Sequence, residues 1–212
     1  MKKLLSQTTI YIVRHGESEN NLKEVIGSDP ELTKRGEIQA ELIAKTLANV
    51  KFDFIFSSDL RRTINTAKVI AKNNNLKIRT SKKLRERNYG EYEGQPMEKF
   101  RADLKDILQK MKTMPDEQIK NYRRYEGFET DEELVSRFSL YLKRIVRLHQ
   151  GKTILIATHG IVMRIFLVYL GFAKYKELPP FSIKNTGYIK VTSDGNNFYL
   201  NEVNGVKKMV TH

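Results

Sequence analysis

The sequence predicts an α/β fold, a three-layer sandwich whose mostly parallel central sheet carries helices on both faces, with a helical cap inserted at about 95–130. Three observations lead there. Short apolar runs rich in β-branched and aromatic residues alternate with stretches of helical spacing. Two of those runs, Ile10 to Val13 and Thr153 to Ala157, each end in a polar step that carries a histidine followed by glycine. Between them, a strongly charged segment with one thin apolar stripe interrupts the alternation. The 212 residues, 40% hydrophobic and 30% charged, can bury one large core, and we read them as a single domain, 1–212.

Taken in order, Ile10-Tyr11-Ile12-Val13 is a buried strand that opens into a loop at Arg14-His15-Gly16. Thr33 is the expected N-cap of a helix on which Ile38, Leu42, Ile43, Leu47 and Val50 recur at helical spacing. Phe52 to Phe56 forms a second strand, stopped by Ser57-Ser58-Asp59. A helix from about Arg61 to Asn73 follows, then a turn at Asn73-Asn74-Asn75 and a short strand near Leu76 to Thr80. In the cap, Phe100, Leu104, Leu108 and Met111 form one stripe, broken at Pro115 and again near Gly127, and eight basic and seven acidic residues nearly cancel over 95–129. A long helix then presents Leu134, Phe138, Tyr141, Leu142, Ile145 and Leu148 on one side. It leads to the Thr153 to Ala157 strand, a helix to about Leu170, and two strands near Tyr188 to Val191 and Phe198 to Val203. Ser193-Asp194-Gly195-Asn196 joins those last two.

Composition excludes several classes of function. The chain has no cysteine, so thiolate nucleophiles, zinc–cysteine sites and disulfides are absent, and a reducing, cytoplasmic setting is the expectation. Met1-Lys2-Lys3-Leu4-Leu5 starts like a signal peptide, but the apolar stretch stops at Ser6, and the run Ile165 to Leu170 is too short to span a bilayer. No membrane role is expected. The net charge of +13 is uneven: residues 61–90 hold ten Lys or Arg against the single acid Glu86. Such a field draws anions without choosing among them.

Two histidines share a context. His15 and His159 each end an apolar strand, and each precedes a glycine, Gly16 or Gly160, where the absent side chain permits close approach. A metal is poorly served there: no His-x-x-x-His or His-Glu-x-x-His pair exists, and Arg14 and Arg164 oppose a cation. Guanidinium instead suits phosphate, and Arg14, Arg61 and Arg62 fall at or just beyond strand ends. The combination points to a phosphoryl-accepting histidine. Gly151-Lys152-Thr153 mimics the end of a P-loop, but position 146 is Val and a strand follows, so nucleotide binding by that route is rejected.

These residues carry a family resemblance. Arg14-His15-Gly16-Glu17-Ser18 with Asn21 and Gly27, Leu32-Thr33 with Gly36, Ser57-Ser58-Asp59-Leu60 with Arg62, Leu84-Arg85-Glu86 with Gly90 and Gly94, and Thr158-His159-Gly160 stand in the order and spacing of one family. The chain resembles the histidine phosphatase superfamily, which contains phosphoglycerate mutases and many phosphatases, over nearly its full length. The resemblance implies a phosphoglycerate mutase-like fold and a metal-independent covalent mechanism. His15 would take the phosphoryl group, and Arg14, Arg62 and His159 would hold its oxygens. Glu86 would protonate the leaving oxygen and then help activate water. Ser18, Asn21, Gly27, Tyr89 and Gly160 would line the substrate site.

Phosphatases and mutases share this core and differ in whether water or a bound hydroxyl receives the phosphoryl group. Glu86-Arg87-Asn88-Tyr89-Gly90 and the pair Arg123-Arg124 look mutase-like, and those arginines would bind a second anionic group. Met97 and Ile161 stand where mutases carry a lysine and an asparagine, and each lost polar contact costs on the order of 1–3 kcal/mol. The balance favours a phosphatase of the fructose-2,6-bisphosphatase-like and broad-specificity branch, acting on small phosphorylated metabolites without a cofactor. Gly127-Phe128-Glu129-Thr130 resembles that branch's Gly-Glu-Ser element imperfectly. The alternative is a mutase primed by 2,3-bisphosphoglycerate. A non-catalytic RNA- or partner-binding role fits less well, because no aromatics are interleaved with the basic stretch for stacking.

Overall fold

The structure, a computed structural model, describes residues 7–72 and 76–209. The signal-like start, the Asn73 to Asn75 turn and His212 lie outside the described residues. Six strands form one sheet in the order β3-β2-β4-β1-β5-β6: β1 (Thr8–Arg14), β2 (Phe54–Ser57), β3 (Ile78–Thr80), β4 (Thr153–Thr158), β5 (Ile183–Ser193) and β6 (Phe198–Val206). The first four run parallel, and β5 pairs antiparallel with both β1 and β6. The helices are α1 (Glu19–Lys23), α2 (Lys34–Thr46), α3 (Arg61–Ala71), α4 (Met97–Asp103), α5 (Lys105–Met111), α6 (Asp116–Asn121), α7 (Asp131–Leu148) and α8 (Gly160–Tyr169).

Strand alternation separates two cores. Ile10, Ile12, Ile154 and Ile156 pack with Leu134, Phe138, Leu142 and Phe166 of α7 and α8. Their neighbours Tyr11, Val13, Leu155 and Ala157 face the other way, onto Ile43, Leu47, Ala67 and Ile70 of α2 and α3. Buried on both faces, the inner strands read as continuous apolar runs. A third cluster, Ile26, Tyr92, Phe100, Leu104 and Phe128, holds the cap.

The structure corrects several details. Ile38 and Leu42 share α2 with the buried Ile43 but are 57% and 56% exposed, because only the stripe through Gly36, Ala40 and Ile43 meets α3 and the sheet; the buried Leu47 caps the helix end. Leu148, at the last turn of α7, is 68% exposed. The cap stripe is divided at Leu104, whose backbone leaves the helical region and both ends α4 and begins α5. Leu104 and Phe100 are buried, while Leu108 and Met111 are only half-buried. The final strands are longer than expected because β5 carries a register irregularity between Ile183 and Tyr188, which hides the alternation in its first half. Thr33 caps α2 as expected, its hydroxyl accepting from Gly36 N–H. Lys152 is tied to Asp53 at 3.2 Å, with Thr153 already in β4.

Candidate active site

Parallel pairing brings the two histidines together. In the β1–β4 ladder Arg14 stands opposite Thr158, so the next residue of each strand, His15 and His159, leaves the sheet side by side. His15 N–H donates to Thr158 O at 3.1 Å, and the ring centroids lie 5.2 Å apart. This is the carboxyl edge of the sheet, where α/β folds place ligands. From the adjacent strand β2, α3 starts at Arg61 and delivers Arg62, 5% exposed, against His159.

Hydrogen bonding assigns the tautomers. His15 Nδ1 lies 2.6 Å from Gly16 O, which can only accept, so Nδ1 carries the proton and Nε2 keeps its lone pair. Arg62 Nη2, which can only donate, lies 3.4 Å from His159 Nδ1, so the His159 proton is on Nε2. That Nε2 is buried without a partner among the described residues, as is Arg14 Nε. Arg14 is anchored by Nη1 on Ile183 O at 2.5 Å, and Arg62 by Nη1 on Ser28 O at 3.0 Å. Two unsatisfied buried donors beside a free imidazole lone pair suit a tetrahedral oxyanion.

The glycines serve different needs. A Cβ on Gly16 would stand 2.4 Å from Gly36 O, so this glycine lets two backbones meet. A Cβ on Gly160 would stand 3.2 Å from Arg14 Nε, so the space after His159 is taken by the guanidinium.

Glu86 sits on the N-terminus of α8. Its Oε1 accepts from Arg87 N–H at 3.0 Å and Val162 N–H at 3.2 Å, and its Oε2 from Ile161 N–H at 3.1 Å. Ile161, which lacks the polar side chain that mutases carry there, thus contributes its backbone N–H to Glu86. A cavity of about 660 Å³ opens over Arg62 and Glu86, with Gly27, Ser28, Asn88 and Glu93 on its walls.

The remaining candidates divide. Ser18 is buried, and its N–H and Oγ both donate to Asn21 Oδ1, at 3.0 and 3.2 Å, which stiffens the loop after His15. Tyr89 packs edge-on between Phe100 and Phe128, with centroids at 5.5 and 5.8 Å, in the cap cluster. Arg123 donates to Phe128 O at 2.6 Å and to Glu133 at 2.5 Å, and Arg124 lies over the Phe128 ring at 4.5 Å. Neither arginine lines the cavity. Burial, followed by the charge of Arg87, lowers the Arg124 pKa to about 10. Arg61 is engaged outside the site by Asp29 and Glu31.

Sequence reading missed Asn185. Its Nδ2 donates to His15 O at 3.2 Å and reaches Asn21 Oδ1 at 3.4 Å. The β5 irregularity makes this possible: Thr186, in the left-handed region at φ 56°, turns its N–H toward the same His15 carbonyl at 3.4 Å. A β-branched residue in that conformation carries no sequence signal. The basic stretch is also less positive than its composition. Arg61, Arg85 and Arg87 each bond carboxylates from elsewhere, Asp29, Asp59 and Asp131.

Burial, and next the charge of Arg62, hold both histidine pKa values well below 6.5. Both stay neutral in the folded protein but gain a proton in the unfolded chain below about 6.5. The stability present above that pH is therefore lost as the pH falls through 6.5 toward the lower folded values. Each histidine contributes a slope of up to about 1.4 kcal/mol per pH unit. Thermal unfolding from pH 7 to 5 should show this decline, and a shallower one in His15→Ala; equal slopes would contradict it.

A strand-end histidine pair with two arginines stands over the carboxyl edge of the α/β sheet, an arrangement suited to a phosphoryl group. The profile of the histidine phosphatase superfamily (branch 1) matches residues 10–205, and the chain belongs to that superfamily. It is similar to fructose-2,6-bisphosphatase TIGAR of Xenopus tropicalis, 37% identical over 108 residues, a match spanning 48% of this chain and only 39% of that protein. The 2,3-bisphosphoglycerate-dependent phosphoglycerate mutase of Buchnera aphidicola is 32% identical over 79% of this chain and 85% of its own. Phosphoserine phosphatase 1 of Hydrogenobacter thermophilus is 28% identical over 84% of this chain and 83% of its own. In fold, the chain matches a phosphoglycerate mutase structure from Bacillus anthracis with TM-score 0.81 at 21% identity, covering 94% of each chain. Among the described residues no helix is long and apolar enough to cross a membrane, and no group of three or more His, Asp or Glu could hold a metal ion.

Proposed function

We propose that the protein hydrolyses small phosphomonoesters through a phosphohistidine on His15, without a metal and in a cytoplasmic setting. The observation that carries this reading is the free Nε2 of His15 beside the unpartnered donors Arg14 Nε and His159 Nε2. His15 Nε2 attacks phosphorus as the bond to the leaving oxygen breaks, and that oxygen takes a proton from Glu86. Water then attacks the phosphohistidine, gives its proton to Glu86, and the N–P bond breaks to release phosphate. The arginines and His159 stabilise charge on the equatorial oxygens in both steps. Glu86 Oε2 accepts one backbone N–H, which leaves it a lone pair for the transferred proton.

Relatives named as a bisphosphatase and a phosphoserine phosphatase support hydrolysis. The cavity wall carries Lys82 together with Arg85, Arg87 and Arg137, and these arginines are bonded to Asp59, Asp131 and Glu129. The second reading, a mutase primed by 2,3-bisphosphoglycerate, is favoured by the mutase relative. The deciding assay compares phosphate release from sugar phosphates, phosphoserine and bisphosphoglycerate with conversion of 3-phosphoglycerate to 2-phosphoglycerate, all in the presence of a chelator. Phosphate release well above isomerisation is expected; fast isomerisation with little free phosphate would establish the mutase instead.

Glu86→Gln should slow alkyl phosphates, whose leaving oxygen needs a proton, by about 10²-fold or more, and p-nitrophenyl phosphate far less. Steady-state kinetics on both substrates checks this, and equal losses would argue against an acid at this position.

A further inference from the structure

The segment that carries Glu86 is gripped from the side by one ion pair. Arg137 projects from α7 and donates by Nη1 to Lys83 O at 2.9 Å and by Nη2 to Glu86 O at 3.0 Å. The same guanidinium forms a two-point bond with Glu129, Nε to Oε1 at 2.5 Å and Nη2 to Oε2 at 3.0 Å. Glu129 in turn accepts from Asn88 N–H at 3.1 Å, while its own N–H donates to Asn88 O at 3.1 Å. The backbone from Lys83 to Asn88 is therefore held before, at and after Glu86. Both partners are largely shielded, their side chains 18% and 13% exposed, and both lie on the cavity wall.

We infer that Arg137 and Glu129 are positioning residues that aim the Glu86 carboxylate at the leaving oxygen. This inference rests on the proposed acid role of Glu86. The physical argument is one of reach. The carboxylate is fixed at one end by the backbone N–H groups opening α8, and its carbonyl is fixed by Arg137 at the other. With the carbonyl released, the side chain can stay on α8 while its main chain drifts, and displacements near 1 Å at a reacting group cost about 10²-fold. Only a guanidinium can serve two carbonyls and a carboxylate together from one planar group; an ammonium has the charge without the fork. His15, Arg14 and Arg62 make none of these contacts, and Arg137 acts on the phosphoryl site only through its charge on His159, which ranks behind burial and the charges of Arg62 and His15.

The test is the leaving-group dependence of kcat in Arg137→Met and, because that variant could fold poorly, in Glu129→Gln and Arg137→Lys. For Arg137→Met we expect an alkyl phosphate to lose about 10–100-fold and p-nitrophenyl phosphate less than about 3-fold, with KM little changed. Arg137→Lys should not restore the alkyl rate, and Glu129→Gln should share the selectivity in weaker form. Adding Glu86→Gln to Arg137→Met should cost little beyond Glu86→Gln alone. Equal losses on both substrates in folded Arg137 variants, with Glu86→Gln selective, would overturn the positioning role alone. A non-selective Glu86→Gln would overturn the acid reading and this inference with it.

Discussion

His15→Ala is expected to abolish the phosphoenzyme and to lower turnover by about 10⁴-fold or more, the scale on which removal of a covalent nucleophile acts when its partners remain. Rapid acid or alkaline quench after mixing with ³²P-labelled substrate reads the intermediate directly: acid-labile, alkali-stable label in the wild type and none in the variant. The contrast follows from geometry. His15 Nε2 is the free basic nitrogen of the histidine pair, since the proton of His159 is assigned to its own Nε2 by Arg62. His159→Ala should therefore still form the phosphoenzyme, only more slowly, by about 10²–10³-fold, as expected for loss of one donor to the developing oxyanion. Full phosphoenzyme in His15→Ala would reject His15 as acceptor, and none in His159→Ala would show that His159 does more than donate one hydrogen bond.

How much of this was legible depended on whether a residue's role is local. The histidines are local: each follows an apolar strand, and the register Arg14 opposite Thr158 converts two sequence contexts into one site. Arg62 is similar, lying one residue into the helix after β2. The resemblance added Glu86, which spacing could not have chosen over Glu91 or Glu93; the structure seats it on α8, 75 residues away along the chain at Ile161 N–H. What stayed hidden was non-local. Asn185 reaches the His15 carbonyl across 170 residues, through a strand irregularity that polar and apolar alternation does not record. Arg137 grips Glu86 from a helix whose sequence reads as an ordinary amphipathic stripe. Ile38 and Leu42 erred in the opposite sense: an apolar residue at helical spacing predicts a face, but only the neighbours that pack decide how wide it is.

Asp131→Ala should have the largest effect on stability, about 3–5 kcal/mol, because it strands a buried charge. Asp131 and Arg87 are 3% and 4% exposed and joined by a direct ion pair. Burial opposes the charge on Arg87, and Asp131, with Tyr89 and Glu86 behind it, more than offsets this, holding the guanidinium pKa above its ordinary value. Arg87 also lies over the Phe128 ring at 5.0 Å, but its Nε has no partner among the described residues, and its direct ion pair is with Asp131. Arg124 and Arg164 raise the stakes: burial lowers each most, Asp131 opposes this in both, and the charge of Arg87 lowers each further, ranking ahead of Asp131 at Arg124 and behind it at Arg164. Without that carboxylate, three guanidinium groups would share a water-poor region beneath the cap. For a chain of this size the loss corresponds to a fall in Tm of roughly 10 °C, readable by calorimetry. The double variant Arg87→Met/Asp131→Leu removes the stranded charge as well as its partner and should recover more than half of the loss. A Tm within 2 °C of wild type for Asp131→Ala would mean that Arg87 is already compensated by water or by another group, and would reject the pair as a determinant of stability.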